Sequence, residues 1–181
     1  MAAAAEPLLV TVQQYRELAP SEDGVQELHW GQVVTLTRPR ARHIKLQSRL
    51  VRLLRPKAEH LGYIESELPF RALPEYDLRA ADVAFVSRER WDQVAGDDDL
   101  HGAPELVIEV LSPSSSQAKI QELAALCLSA GTREFWLIDP KRETVAITTP
   151  NGATSVYTAA NSIPLPLFGG HLAVADIFQK S

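Results

Sequence analysis

Two carboxylates stand within apolar segments that have the composition of buried strands. Asp82 opens the segment 82–86, and Glu109 lies in the middle of 106–111. A buried carboxylate without a partner is costly, so each must be paired with a cation, protonated or bound to a metal. For one isolated acid, a salt bridge to an arginine such as Arg79 is the favoured interpretation. Two such acids on neighbouring strands favour Mg²⁺ or Mn²⁺, which bind hard oxygen ligands.

A strongly basic stretch is the second feature with chemical consequences. Residues 38–57 contain eight lysines and arginines and no acidic residue, so this stretch has a charge of +8. Because the net charge of the chain is −5, the other residues together carry −13. Four of the eight basic residues share one face of a predicted helix at 42–55: Arg42, Lys45, Arg49 and Arg52. We interpret this face as a phosphate-binding surface for nucleic acid. An ordinary solvated face is the simpler alternative, and a membrane-surface helix is a weaker one.

Other reaction chemistries find little support in the sequence. Cys127 is the only cysteine, which excludes an intrachain disulfide and a cysteine-based zinc site. Ser112 lacks a Gly-x-Ser-x-Gly context and is better interpreted as a strand-end or capping residue. Neither a phosphate-binding loop nor a dinucleotide fingerprint is present. The negative net charge argues against a uniformly basic DNA-coating protein.

The elements that must position these residues follow from the spacing of apolar residues. Helix 42–55 carries four leucines on one core-facing stripe: Leu46, Leu50, Leu53 and Leu54. Nearly continuous apolar runs at 82–86, 106–111 and 134–138 are typical of strands buried on both faces. A helix predicted at 115–130 implies a right-handed crossover and a parallel pair. The other predicted elements are a helix at 11–19, a strand at 64–70, hairpins of 25–28 with 32–36 and of 145–148 with 155–157, and an irregular tail at 163–168.

Length and composition bound the class of protein. The chain has 181 residues, which is the size of one domain. The apolar fraction of 45% and the charged fraction of 23% are those of globular proteins and exclude disordered, collagen-like and coiled-coil classes. No apolar run approaches the roughly 18–20 residues of a bilayer span, and the Ala-rich start with Glu6 is a poor signal peptide. We therefore expect one mixed α/β domain, 1–181, in the cytoplasm and without a membrane partner.

Three segments of the chain share a pattern with a known family. They are Arg79-Ala-Ala-Asp82-Val-Ala-Phe-Val, Gly102-Ala-Pro-Glu-Leu-Val-Ile-Glu109-Val-Leu-Ser112-Pro113-Ser114 and Ala130-Gly131-Thr-Arg-Glu-Phe-Trp-Leu-Ile-Asp139-Pro140. Together they resemble the Uma-two family of restriction-endonuclease-like proteins. The hairpin around 26–34 and His43, near the start of the long helix, are also similar to the family. The resemblance covers about 12–178. It implies a PD-(D/E)XK nuclease fold, a restriction-endonuclease-like core with a central mixed β-sheet flanked by helices and with N-terminal and C-terminal hairpins.

The resemblance also implies a site. In it, Asp82 and Glu109 bind Mg²⁺ or Mn²⁺ together with the backbone carbonyl of Val110, and Glu27 adds an acidic group at the edge. The metal polarises a phosphodiester and lowers the pKa of an attacking water, while a lysine orients that water or stabilises the developing charge. We place His43 with the basic helix face as a residue that binds nucleic acid.

The sequence departs from the family pattern at this lysine. The general motif would place it at Leu111 and this family at Leu123, and neither position is basic. Lys119 lies one turn before Leu123, on the same side of the predicted helix, so it is a candidate for the missing ammonium group. The alternative has equal weight: Lys119 is a solvated residue, and the domain has lost catalysis.

Two functions of different classes follow from these residues. The first is a metal-dependent endonuclease that hydrolyses phosphodiester bonds of DNA, with Asp82, Glu109 and Lys119 in the site and with RNA left open as a substrate. The second is a catalytically inactive nucleic-acid-binding or interaction protein that retains the fold. A third, a metal-independent hydrolase using paired carboxylates, has no pocket that the sequence predicts. A homodimer is expected only by analogy, because cutting both strands needs two sites.

Overall fold

A seven-stranded mixed sheet forms the centre of the molecule in the computed structural model, which describes residues 9–112 and 116–179. The helices are α1 Val12–Arg16, α2 Ala41–Ala58, α3 Arg88–Trp91, α4 Gln117–Ser129 and α5 Val174–Phe178. The first six strands are β1 Val25–His29, β2 Gln32–Leu36, β3 Gly62–Arg71, β4 Arg79–Ser87, β5 Leu100–His101 and β6 Leu106–Val110. The others are β7 Glu134–Asp139, β8 Thr144–Thr148, β9 Thr154–Tyr157, β10 Ser162–Pro164 and β11 His171–Ala173.

The strand order of the central sheet is β5-β3-β4-β6-β7-β8-β9. The pairs β3/β5 and β6/β7 are parallel, and the other neighbours are antiparallel. Helix α4 connects β6 to β7, so the predicted strand, helix, strand unit with a parallel pair is confirmed. The predicted start of this helix at Ser115 lies outside the described residues, as do Pro113 and Ser114. Strands β4, β6 and β7 are largely buried, as their apolar runs predicted.

Two apolar layers cover the two faces of this sheet. Helix α2 packs on one face, and we call the buried residues there the α2-side core; they include Leu50, Leu54, Ile108 and Trp136. The other face carries the α4-side core, which includes Val107, Leu126, Cys127 and Phe135. The leucine stripe of α2 therefore faces the sheet as predicted, although the helix is longer than 42–55 and continues through Pro56. The expected central mixed sheet flanked by helices is confirmed.

Two predicted hairpins are present; the first is a separate two-stranded sheet, and the second forms one edge of the central sheet. The hairpin of β1 and β2 turns at Trp30 and Gly31, whose φ values of 46° and 75° suit a two-residue primed turn. The hairpin of β8 and β9 also lies where the sequence predicts it. No helix in the described part of the chain is long and apolar enough to cross a membrane.

The predicted irregular tail at 163–168 is confirmed for residues 165–168, which form a turn, and wrong for 163–164, which belong to a strand. Strand β10 pairs with β11, and α5 follows directly. Gly169 and Gly170, with φ of 82° and 76°, make the turn between the two strands. The prolines of this segment hid a short strand that has only three residues. Five residues between β10 and α5 belong to the α2-side core: Ile163, Leu165, Leu172, Val174 and Ile177.

Candidate active site

The pairing of β3 with β4 is interrupted where Glu67 lies opposite Asp82. The register pairs the residues on both sides of this position but not these two. Glu67 has a φ of 52°, a left-handed conformation that costs an L-residue roughly 1–2 kcal/mol. The alternation of β4 also changes phase here, because Ala81 lies in the α4-side core and Val83 in the α2-side core. The interruption accompanies a contact of Asp82 with α2.

The Asp82 carboxylate is held by three hydrogen-bond donors. His43 Nε2 and Gln47 Nε2, both on α2, lie 2.8 Å and 2.9 Å from Asp82 Oδ1. The backbone N–H of Val110 donates to Asp82 Oδ2 at 2.7 Å. The hydrogen bond to Asp82 raises the pKa of His43, although burial opposes this. The side chain of Asp82 is only 16% exposed.

Glu109 lies beside Asp82 on the neighbouring strand β6. Its Oε1 is 3.4 Å from the backbone N–H of Asp82. Burial, together with the charges of Asp82 and Glu27, raises the pKa of Glu109 well above its ordinary value. No lysine or arginine in residues 9–112 and 116–179 forms an ion pair with Glu109.

Arg79, the suggested salt-bridge partner of Asp82 or Glu109, pairs with neither of them. Arg79 pairs with Asp77 instead: its Nε is 2.9 Å from both carboxylate oxygens of Asp77. The guanidinium of Arg79 also lies over the Trp30 ring, 4.3 Å from its centroid. Arg79 therefore belongs to a buried structural cluster, and the basic side chain that contacts Asp82 is His43.

Glu27 reaches the same region from the β1–β2 hairpin. Its Oε1 accepts a hydrogen bond from the backbone N–H of Ala80 at 3.0 Å, and its Oε2 is 2.6 Å from His29 Nε2. A bridge between Leu28 and Leu78 joins this hairpin to the start of β4. The charge of Glu27 contributes to the raised pKa of Glu109. The predicted position of Glu27 at the edge of a carboxylate site agrees with this placement.

Two polar residues of this site were not predicted, Gln47 and Glu67. Gln47 Nε2 donates to Glu67 Oε1 at 2.5 Å, in addition to its bond with Asp82. Burial and the charges of Asp82 and Glu27 raise the pKa of Glu67, although the Gln47 hydrogen bond opposes this. The sequence feature that could have indicated this site is Gln47, because it places a polar amide between Leu46 and Leu50 on the core-facing side of α2.

Lys119 lies on the first turn of α4 and is exposed. Its backbone N–H donates to the Oγ of Ser116 at 3.3 Å, which caps the helix. Its ammonium group forms no ion pair within residues 9–112 and 116–179. Leu123, where the family pattern expects a lysine, packs against the α4-side core. A catalytic role of Lys119 stays a prediction.

The basic face of α2 lies on the same helix as His43 and Gln47. Arg42, Lys45 and Arg52 are exposed and Arg49 is half-buried. The Nη2 of Arg42 donates to the backbone carbonyl of Pro140 at 2.6 Å, just after β7. His43, which we placed with this face, turns instead to Asp82. The helix thus joins the basic face to the carboxylate site, and contact with nucleic acid stays a prediction.

A divalent metal is the group that the carboxylates imply. No group of three or more histidine, cysteine, aspartate or glutamate side chains in the described ranges is arranged to hold a metal ion. Mg²⁺, however, commonly binds through one or two carboxylates and keeps water and phosphate oxygens as its other ligands. A carboxylate has about four lone-pair positions, and three of those of Asp82 are occupied by donors. About one lone-pair position of Asp82 is thus left for a cation. Together with the neighbouring Glu109 carboxylate, Asp82 fits such a two-carboxylate site.

Cavities elsewhere do not support the metal-independent hydrolase. One cavity of about 410 Å³ lies between the end of the central sheet and the β10–β11 hairpin, where Tyr157, Leu165 and His171 line it. A second, of about 440 Å³, is lined by residues of α1 and by Arg71. None of the four carboxylates of the site lines either cavity.

A mixed sheet with a parallel strand, helix, strand unit, and with two acids meeting on adjacent strands, defines a restriction-endonuclease-like protein. Residues 12–175 match the sequence pattern of the Uma2 family, described as "Putative restriction endonuclease", and the chain belongs to this family. The resemblance noted in the sequence is thereby confirmed.

A solved structure shows the same fold. It is described as a "putative nuclease belonging to DUF820" from Anabaena variabilis ATCC 29413. It shares 25% sequence identity with this chain, and the comparison covers 93% of this chain and 97% of that one, with a TM-score of 0.79. No curated protein matches the chain. Family and fold together support a nuclease.

Proposed function

We propose that this protein is a divalent-metal-dependent endonuclease that hydrolyses phosphodiester bonds of DNA. The observation that carries the proposal is the meeting of Asp82 and Glu109 on adjacent strands. Glu109 has a raised pKa and no lysine or arginine partner in the described part of the chain. Repulsion between buried acids is what a bound cation relieves. Membership of the Uma2 family supports the same conclusion.

Asp82 and Glu109 hold Mg²⁺ or Mn²⁺ in this proposal, with the backbone of Val110 as a further ligand. The bound cation supplies polarisation of the phosphodiester and an attacking water of lowered pKa. His43, Gln47 and the Val110 N–H fix the orientation of the Asp82 carboxylate. Glu27, fixed by the Ala80 N–H, adds negative charge at the edge of the site.

The basic face of α2 binds the DNA backbone. Arg42, Lys45, Arg49 and Arg52 provide four cations on the helix that also carries His43. Phosphate contacts of this kind fix the position of the duplex without reading its sequence. Lys119 then approaches the reacting phosphate, where an ammonium group orients the water or stabilises the developing charge.

One observation favours a second candidate function. Leu111 and Leu123 replace the expected lysine, and Lys119 is exposed without an ion pair in residues 9–112 and 116–179. A nuclease that lost this cation would keep the fold and the basic face. The alternative is therefore a catalytically inactive nucleic-acid-binding protein.

The experiment compares Mn²⁺ binding by titration calorimetry with cleavage of plasmid DNA in Mg²⁺ or Mn²⁺. Asp82→Asn and Glu109→Gln keep side-chain shape and remove charge, so each should abolish Mn²⁺ binding and cleavage while the protein stays folded. Glu65→Gln is the matched control, since Glu65 lies exposed on β3 and pairs with Arg55.

Each outcome separates the two candidates. Metal binding and cleavage that both disappear in the Asp82 and Glu109 variants support the nuclease. Wild-type protein that binds DNA but neither binds Mn²⁺ at millimolar concentration nor cuts DNA would establish the inactive alternative. Lys119→Ala with full cleavage activity would remove Lys119 from the mechanism.

A further inference from the structure

Gln47 is a buried amide on the core-facing side of α2, only 3% exposed. Its neighbours on that side, Leu46 and Leu50, are leucines of the α2-side core. Leaving a buried amide without hydrogen bonds is costly, so a glutamine at such a position is expected to have partners. Gln47 Nε2 has two, Glu67 Oε1 at 2.5 Å and Asp82 Oδ1 at 2.9 Å. Both amide hydrogens are therefore used on carboxylates.

We propose that Gln47 is a positioning residue of the active site, and that Glu67 in turn holds Gln47 in place. Gln47 occupies Oδ1 of Asp82 and so leaves Oδ2 as the oxygen that presents a lone pair to a cation. This inference rests on the proposed function, because it concerns how Asp82 is oriented for that function.

The occupancy of the Asp82 carboxylate supports this assignment. Each carboxylate oxygen has about two lone-pair positions. Oδ1 receives His43 and Gln47 and is filled, whereas Oδ2 receives, from the described residues, only the Val110 N–H. The Asp82 carboxylate thus accepts hydrogen bonds from donors on both α2 and β6. These bonds leave the carboxylate little freedom to rotate.

The backbone at Glu67 supports its role as the anchor of Gln47. Glu67 adopts φ of 52° at the one interruption between β3 and β4, a strained backbone conformation for an L-residue. Its carboxylate also lies near the negative charges of Asp82 and Glu27. Strain and repulsion both oppose this placement, and the hydrogen bond from Gln47 offsets part of their cost. Such a placement is expected where orientation of a functional group outweighs stability.

The first test uses Gln47→Met, which keeps the length of the side chain and removes both N–H donors. We expect Mn²⁺ affinity to fall about 10- to 100-fold, as for other residues that orient a metal ligand. The kcat of DNA cleavage should fall while KM for DNA stays constant. Gln121→Met is the matched control, because Gln121 is exposed on α4; it should change neither value. Glu67→Ala should weaken Mn²⁺ binding more than Glu67→Gln, which keeps an acceptor oxygen for Gln47.

A second measurement needs no metal and no activity. In a double-mutant cycle, Gln47→Met and Asp82→Ala are combined and the urea-unfolding midpoints of the metal-free proteins are compared. A side chain that holds Asp82 gives non-additive changes, because each single variant already removes the shared hydrogen bond. Additive changes would overturn the proposal. So would non-additive changes with unaltered Mn²⁺ affinity in Gln47→Met, since Gln47 would then be only a packing residue.

The two proposals fail in different ways. Wild-type protein that binds no Mn²⁺ contradicts the proposed function, and the metal-free cycle alone then decides whether Gln47 holds Asp82. Wild-type protein that binds Mn²⁺, with Gln47→Met binding it equally well, contradicts the positioning role and leaves the nuclease intact.

Discussion

Glu109 lies in surroundings that oppose its charge, and this gives the stability of the protein a pH dependence. Burial and the charges of Asp82 and Glu27 raise its folded-state pKa above the ordinary 4.5. A folded-state pKa above the unfolded one means that the folded protein binds the extra proton, so stability is full below about pH 4.5 and falls as pH rises toward the folded pKa. Divalent metal should restore what is lost, because it favours the ionised form.

Glu109→Gln should remove most of this pH dependence in metal-free protein. We expect the variant to be more stable than wild type at neutral pH, with a difference of about 1.4 kcal/mol for each unit by which the pKa is raised. Urea unfolding of both proteins in chelator at several values between about pH 5 and 9 measures it. A smaller slope should remain, because Glu67 also has a raised pKa. Parallel curves for the two proteins would show that Glu109 has a partner that stabilises its charge.

The predictability of the site differed from residue to residue for physical reasons. Asp82 and Glu109 were found because a carboxylate inside an apolar strand is an anomaly that the sequence itself displays. Glu67 was missed because it follows Glu65 and Ser66 in a polar part of β3, and only its backbone φ of 52° and its place opposite Asp82 distinguish it. Gln47 was missed because helical spacing shows which face a residue occupies but not which strand that face meets.

At the scale of the element, α2 has three surfaces with separate functions. Leu46, Leu50 and Leu54 pack on the sheet, while His43 and Gln47 contact the Asp82 carboxylate. The basic residues occupy the outer side. The apolar and basic faces were both predicted from a period of about 3.6 residues, whereas the contact with Asp82 depends on the interruption in β3 and β4, which no local pattern encodes.

The basic face of α2 gives a prediction for DNA binding. Changing Lys45, Arg49 and Arg52 together to Gln should weaken binding uniformly across DNA sequences. The slope of log K against log salt should fall in magnitude by roughly 2–3 units, because about one counterion is released for each phosphate neutralised. Fluorescence anisotropy with two unrelated duplexes at several salt concentrations measures both effects.

The matched control for this variant is Arg133→Gln, which changes an exposed arginine outside α2. It should leave the affinity and the slope as in wild type. The fold should survive the triple change, because the leucine stripe of α2 is untouched. Unaltered affinity and slope in the triple variant would mean that the basic face is an ordinary solvated surface and that nucleic acid binds elsewhere.

At the scale of the whole molecule, the protein is acidic overall but has one strongly basic stretch. The stretch 38–57 carries +8, while the rest of the chain carries −13. Long-range repulsion from the acidic remainder therefore favours approach of a polyanion from the side of α2. This asymmetry was visible in the sequence, but the structure adds that the same helix contacts the carboxylate site through His43 and Gln47. A polyanion that approached α2 would therefore lie beside Asp82.

The boundaries of the domain remain a prediction, and the C-terminal segment provides the test. Five residues of β10, β11 and the segment around them lie in the α2-side core: Ile163, Leu165, Leu172, Val174 and Ile177. A core shared with α2 and β6 means that the segment should unfold together with the central sheet rather than separately. The sequence alone left this open, because it indicated only an irregular tail.

Ile177→Ala therefore should destabilise the whole molecule and not only its C-terminal end. The side chain is fully buried in the α2-side core, so the expected loss is about 2–5 kcal/mol of the free energy of unfolding. In urea unfolding, far-UV circular dichroism and tryptophan fluorescence should shift together, because Trp136 lies in the same core and Trp30 packs against the other one. Val156→Ala is the control; Val156 is 63% exposed on β9, so its removal should cost little. A separate, early transition in Ile177→Ala, with the main transition unmoved, would show that the C-terminal segment folds apart from the sheet and that residues 12–178 are not one cooperative unit.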